Sequence, residues 1–100
     1  MSLSKNWKAK SIAGTAGYEL IVTGEANVGK LTVEPELVKR SPQGFNPAIL
    51  QLDLINAADA TPENFRPVKY NEKIEKQDKY SEVEIFYRNN SIERIKVEIV

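Results

Sequence analysis

The segment Val83-Glu84-Ile85-Phe86-Tyr87-Arg88-Asn89-Asn90-Ser91-Ile92-Glu93-Arg94-Ile95-Lys96-Val97-Glu98-Ile99 decides the structural class of this chain. Apolar side chains recur at alternate positions on both sides of an Asn-Asn pair: Val83, Ile85 and Tyr87, then Ile95, Val97 and Ile99. That spacing marks strands with one buried face, so the segment reads as a β-hairpin with strands at 80–88 and 92–100. Facing residues of an antiparallel pair share one side of a sheet, so odd positions must meet odd positions. A tight turn at Asn89-Asn90 would set Val83 against Lys96 and drive one apolar set into water. A longer loop, Asn89-Asn90-Ser91, pairs Ile85 with Ile95 and Val83 with Val97, and an Asn-Asn turn followed by a bulge restores the same parity. The outer face then sets Glu84 against Lys96, Phe86 against Arg94, and Glu82 against the like-charged Glu98. An outward Phe86 among charges is either covered by another element or offered to a partner. With Arg88, Arg94 and Lys96 it forms the candidate interaction surface.

Outward from the hairpin the same chemistry continues. Ile and Val together number 17 against 7 Leu, and β-branched side chains favour extended backbone. All five Pro and all five Gly lie between Gly14 and Pro67, dividing that stretch into pieces too short for long helices. Further strands are predicted at 7–13, 18–24, 28–34, 36–41, 48–56 and 65–70. Tyr18, Leu20 and Val22 form one inward set, Leu31 and Val33 another, and Leu50, Leu52 and Leu54 the inward face of a central strand. Pro67 confines its strand to an edge or a strand start. The turn-rich stretch Ser41-Pro42-Gln43-Gly44-Phe45-Asn46-Pro47 is expected to tuck Phe45 beneath it. Residues 71–79, with one apolar side chain among alternating charges, read as a solvated loop or a single helical turn. Of the aromatics, Trp7 and Tyr18 are placed in the core, and Phe86, Tyr70 and Tyr80 at the rim. The expected fold is all-β: an antiparallel β-sandwich of about seven or eight strands, immunoglobulin-like in outline, with a small β-barrel as the alternative. It occupies 1–100 as a single domain, with 1–5 a disordered tail or expression scar.

Composition removes several functions. The chain has 100 residues, 14 Lys+Arg, 14 Asp+Glu, no His and no Cys. The missing Cys excludes disulfides, thiolate metal sites and Cys nucleophiles. The missing His excludes the Ser-His-Asp triad and imidazole ligands. Balanced charge argues against a broad footprint for nucleic acid or anionic membrane. No apolar run approaches the ~20 residues of a membrane helix, and the N-terminus is too polar for a signal peptide, which makes the cytoplasm the default location.

Two motifs invite chemistry. Gly24-Glu25-Ala26-Asn27-Val28-Gly29-Lys30-Leu31 follows the phosphate-binding pattern G-x-x-x-x-G-K-[ST] except at its last position, where Leu31 offers no oxygen to a metal. No helix is expected to follow it, so it reads as a hairpin loop in which Gly24 and Gly29 supply positive φ. The carboxylates Asp53, Glu82 and Glu84, and the pair Glu34 and Glu36, are the material for acid–base catalysis or a metal site, but alternating Glu on a strand ordinarily faces solvent. Asp59 and Glu63 are too dispersed to add a local metal loop. No catalytic, cofactor or metal residue is therefore assigned. The leading expectation is a non-catalytic protein-binding or assembly module acting through a sheet face or edge, its partner another protein or a second copy in a weak homodimer. A carboxylate-dependent enzyme, or a domain binding a metal or small ligand, is the alternative.

Overall fold

A computed structural model describes residues 3–100 and contains seven strands: β1 (Ser4–Gly14), β2 (Gly17–Asn27), β3 (Glu36–Lys39), β4 (Ile49–Ile55), β5 (Phe65–Ile74), β6 (Glu82–Tyr87) and β7 (Asn90–Ile99). They form one sheet in the order β3-β4-β6-β7-β1-β2-β5. The two end strands, β3 and β5, come back into contact, so the sheet is nearly closed into a barrel. The all-β expectation holds, and the barrel alternative replaces the antiparallel sandwich. Two parallel pairings make the difference, β4 with β6 and β1 with β7. The pairing of β1 with β7 joins β3-β4-β6-β7 to β1-β2-β5 in one continuous ladder. No helix among the described residues is long and apolar enough to cross a membrane.

Alternation builds the interior. Leu50, Leu52 and Leu54 of β4 face inward with Leu20 and Val22 of β2 and Val83 and Ile85 of β6, all essentially without solvent contact. Ile95 and Val97 of β7 pack against this cluster, as do Trp7 and Tyr18. Each such aliphatic side chain contributes roughly 1.5–3 kcal/mol on burial. Strand β1 begins at Ser4, which pairs with Ala26, and Lys5 pairs with Glu25. Residues 4 and 5 are thus part of the sheet rather than of the expected tail, whose first two residues lie outside those described.

The hairpin keeps its parity and changes its register. Arg88 and Asn89 form the turn with φ of 50° and 64°, and Tyr87 pairs with Asn90. The ladder then shifts between Phe86, opposite Ser91, and Ile85, opposite Glu93. Ile92 is the extra residue of this bulge, and beyond it Val83 meets Ile95 rather than Val97. Electrostatics favours the slide. Glu82 now opposes Lys96 and Glu84 opposes Arg94, whereas the expected register placed Glu82 against Glu98. Nor is β7 an open edge, because Val97–Ile99 pair with Ala9–Ser11 of β1.

A second bulge anchors the only tryptophan. Lys5 pairs with Glu25 and Lys8 with Thr23, so Asn6 and Trp7 together oppose Gly24. Asn6 adopts φ 58°, a left-handed conformation that Asn tolerates better than most residues. Trp7 lies over Gly24 so closely that a Cβ there would sit 2.3 Å from the indole. Gly24 is therefore a mid-strand seat for a ring rather than the positive-φ turn residue expected.

The predicted strand at 28–34 is absent. Residues 28–35 form a loop fastened by Asn27, which is fully buried. Its side-chain oxygen accepts from the backbone N–H of Gly29 at 3.1 Å and of Asn64 at 3.0 Å. Its amide nitrogen donates to the Ala60 carbonyl at 3.1 Å, while Asn64 donates to the Gly29 carbonyl at 2.6 Å. Gly29 does take positive φ, 71°. The backbone N–H groups of Gly29 and Lys30 already bond within the chain, and no helix follows them.

Gly24→Ala is expected to lower stability by about 2–3 kcal/mol in urea unfolding, through overpacking against the indole. Gly14→Ala, whose Cβ would meet nothing nearer than 3.6 Å, should stay within about 0.5 kcal/mol. Equal effects would show that Trp7 does not rest on Gly24. Asn27→Ala should cost about 3 kcal/mol by orphaning buried backbone donors. Lys30→Ala should be neutral, and Mg-ATP should leave the melting temperature unchanged; a Lys30-dependent rise would restore the phosphate loop.

Candidate functional site

β5 runs to Ile74, beyond the expected end at 70, and its inward positions are Val68, Tyr70, Glu72 and Ile74. A carboxylate thus points into the barrel opposite the fully buried Leu20. The Glu72 side chain is only 15% exposed, and both of its oxygens are satisfied. Tyr70 donates its hydroxyl to Oε1 at 2.6 Å, and Tyr80 donates to Oε2 at 2.7 Å. Lys39 Nζ stands 3.4 Å from Oε1 and Lys79 Nζ 3.6 Å from Oε2. Lys39 ends β3, and Lys79 and Tyr80 lead into β6, so the cluster spans the one seam of the barrel that backbone pairing leaves open. Tyr70 and Tyr80, expected at the rim, lie inside as its hydroxyl donors.

Burial disfavours the charged form of Glu72, but the hydroxyls of Tyr70 and Tyr80 and the Lys39 ammonium outweigh it and hold the pKa below the ordinary carboxyl value. Burial, then the hydrogen bond to Glu72, pushes the phenols of Tyr70 and Tyr80 up. The cluster is therefore a polar lock across the seam, with Glu72 ionised and both tyrosines protonated near neutral pH.

Beside it the Ser41–Pro47 segment is tied down by side-chain hydrogen bonds. Gln43 behaves as a surrogate strand residue: its amide donates to the carbonyls of Arg40 at 2.6 Å and Gln51 at 2.8 Å, and accepts from the Gln51 N–H at 2.9 Å. Asn46 Oδ1 accepts from the Ala48 N–H at 3.0 Å. At the tip Phe45 is fully exposed, the reverse of the tucked position expected. A hollow of about 250 Å³ adjoins it, lined by Lys39, Gln43, Gly44, Pro47, Ile49, Lys79 and Tyr80. Another, of about 310 Å³, lies at the β1–β2 turn, with Thr15, Tyr18, Glu19, Lys73 and Glu75 in its lining.

The residues singled out from sequence lie elsewhere, on the outer face of the sheet. Phe86 is covered by Arg40, whose guanidinium sits 4.3 Å from the ring centroid and pairs with Asp53 at 2.7 Å. Arg94 grips Glu82 through two hydrogen bonds of 3.1 and 3.0 Å. Arg88 lies 5.1 Å from the Tyr87 ring, and Lys96 is exposed. Glu84 accepts from Gln51 and Ser91, and Glu34 pairs with Arg66. Asp53, Glu82 and Glu84 thus each have a separate partner on a convex surface, and the structure does not bring them to one cleft. Phe45 escaped sequence reasoning because exposure of a loop aromatic leaves no periodic trace. Glu72 left one: Val68-x-Tyr70-x-Glu72-x-Ile74 continues the alternation of the strand through a charged residue.

Because Glu72 titrates below its ordinary 4.5 in the folded protein, its stabilisation is complete above that pH and is lost as pH falls through the lower folded value. The tyrosines, protonated beyond their ordinary 10.0, stabilise below pH 10 and lose this as pH rises. The melting temperature should therefore be level across the neutral range and decline on both sides. Glu72→Gln should cost about 2 kcal/mol at neutral pH and shallow the acid limb; an unchanged acid limb would show that another carboxylate governs it. Compared with protein-family models, curated proteins and solved structures, this chain has no match.

Proposed function

We propose that the domain is a non-catalytic protein-recognition module whose central contact is Phe45. The observation that carries this is a fully exposed aromatic side chain on a loop whose backbone is already fixed by Gln43 and Asn46. Aromatic anchors dominate binding energy at protein interfaces, and a loop held in place before contact avoids the ordering cost that weakens flexible ones. The adjoining hollow has the size to accept one side chain of the partner, between Pro47 and Ile49 on one side and the ammonium groups of Lys39 and Lys79 on the other. The recognition surface is thus a loop at the barrel seam, in place of the hairpin face expected from sequence. Phe86 is covered and Arg94 is paired within the chain, whereas Arg88 and Lys96 are exposed.

A displayed peptide library selected on the wild-type domain should yield binders with an apolar or aromatic residue next to an acidic one. Phe45→Ser should abolish their binding and leave the urea midpoint within about 0.5 kcal/mol of wild type, since the ring supports nothing in the fold. Binders that ignore the substitution, or a selection that enriches nothing, would refute the proposal. Concentration-dependent sedimentation that Phe45→Ser abolishes would identify the partner as a second copy.

A further inference from the structure

Phe45 and its neighbours carry the two halves of one contact. The ring is fully exposed, so it does not fill the hollow beside it, although Gly44 and Pro47 of the same loop both line that hollow. Phe45 is also the one aromatic among the large apolar side chains exposed in the described residues; the others, such as Leu31, Ile55 and Ile99, are aliphatic. The hollow offers what a ring needs. An apolar cavity of about 150 Å³ already holds benzene, and this one measures about 250 Å³. Pro47, Ile49 and Tyr80 in its lining supply apolar and aromatic contact. Lys79 Nζ already stands 5.2 Å from the Tyr80 ring centroid, and with Lys39 it offers ammonium groups to the face of a second ring. Glu72 holds Lys39, Lys79 and Tyr80 in place, so little is left to order on contact.

We infer that the partner met through Phe45 is a second copy of this chain, each ring seated in the other copy's hollow, an assignment that rests on Phe45 being the recognition residue. A knob and a hole side by side on one loop are self-complementary. Rotation about a two-fold axis between them brings each knob to the other hole, so both contacts form at once. Zero net charge leaves no net-charge repulsion to keep copies apart. An aromatic side chain buries about 150–250 Å², so two rings and the surfaces they cover account for roughly 600–1,000 Å². Stable pairs bury about 1,200 Å² or more, which makes this a weak, reversible dimer populated at high concentration. The rival geometry is a bare stack of the two rings on the axis. It would bury less apolar surface, because each ring would cover only its twin and both hollows would stay empty.

Sedimentation equilibrium up to about 1 mM should show a reversible monomer–dimer equilibrium in wild type. Phe45→Ser removes the knob and Ile49→Trp fills the hole; each should weaken the dimer at least about tenfold. Should Ile49→Trp misfold, Ile49→Ala, which takes a wall from the hollow, should weaken it as well. NMR of isotopically labelled Phe45→Ser protein, which keeps the hollow, separates the two geometries. Adding unlabelled wild type should shift the signals of Ile49, Lys79 and Tyr80, whereas adding unlabelled Phe45→Ser should shift none. A wild type that stays monomeric, a dimer indifferent to either substitution, or hollow signals that wild type does not move would each overturn the inference. The recognition role fails separately. A monomeric wild type whose selected peptides still require Phe45 removes only the second copy, whereas peptides that ignore Phe45 remove the recognition role itself.

Discussion

One carboxylate completes this barrel. Six neighbouring strand pairs are joined by backbone ladders, but β3 and β5 meet through side chains, and Glu72 is the group on which those side chains converge. Placing a charge on the inward face of a strand is ordinarily destabilising, because desolvation of an ion outweighs most single contacts. Here two hydroxyls and two ammonium groups replace its lost hydration, one of each on either oxygen. The arrangement is directional in a way that apolar packing is not. It specifies that the end of β3 and the residues before β6 lie beside β5, and so selects one closed register among the ways these strands could curl.

The rigid loop beside that seam follows from the same closure. β3 is short, ending at Lys39, and the chain leaves it, turns and enters β4 at Ile49. Gln43 prolongs the edge of β4 with a side-chain amide where no strand is available. The apolar demands of the fold are met by Leu37 and the leucines of β4, which leaves the tip of the loop with no structural duty. The proposed recognition role rests on the large ring of Phe45 there, in full contact with water.

How much of this was legible in the sequence depended on whether the signal was local. Alternation disclosed β4, β6, β7 and the inward set of β2, because burial of one sheet face imposes period 2 directly on the residues. The parity of the hairpin was legible for the same reason, whereas its register was not, since Arg88 at positive φ and the bulge at Ile92 go against simple turn preferences. Leu31 and Val33 alternate like a strand, yet they lie in a loop that Asn27 pins from a distance. Glu72 misled in the opposite direction: charge density made 71–79 resemble a loop, when the deciding partners, Lys39, Tyr70 and Tyr80, are brought in by topology.

The parallel pairing of β1 with β7 also has a consequence for how the chain is made. Ala9–Ser11 pair with β2 on one flank and find their partners on the other only in Val97–Ile99, almost the whole domain later. During synthesis from the N-terminus, the β1–β2 hairpin can form and receive β5, but one flank of β1 stays unpaired until the last strand leaves the ribosome. Non-local closure of this kind folds slowly, and an unpaired strand edge is an open template for other chains meanwhile. The charges of Lys8 and Lys10 flank that waiting edge. On a nascent chain they would discourage neighbouring chains on the same message from joining it.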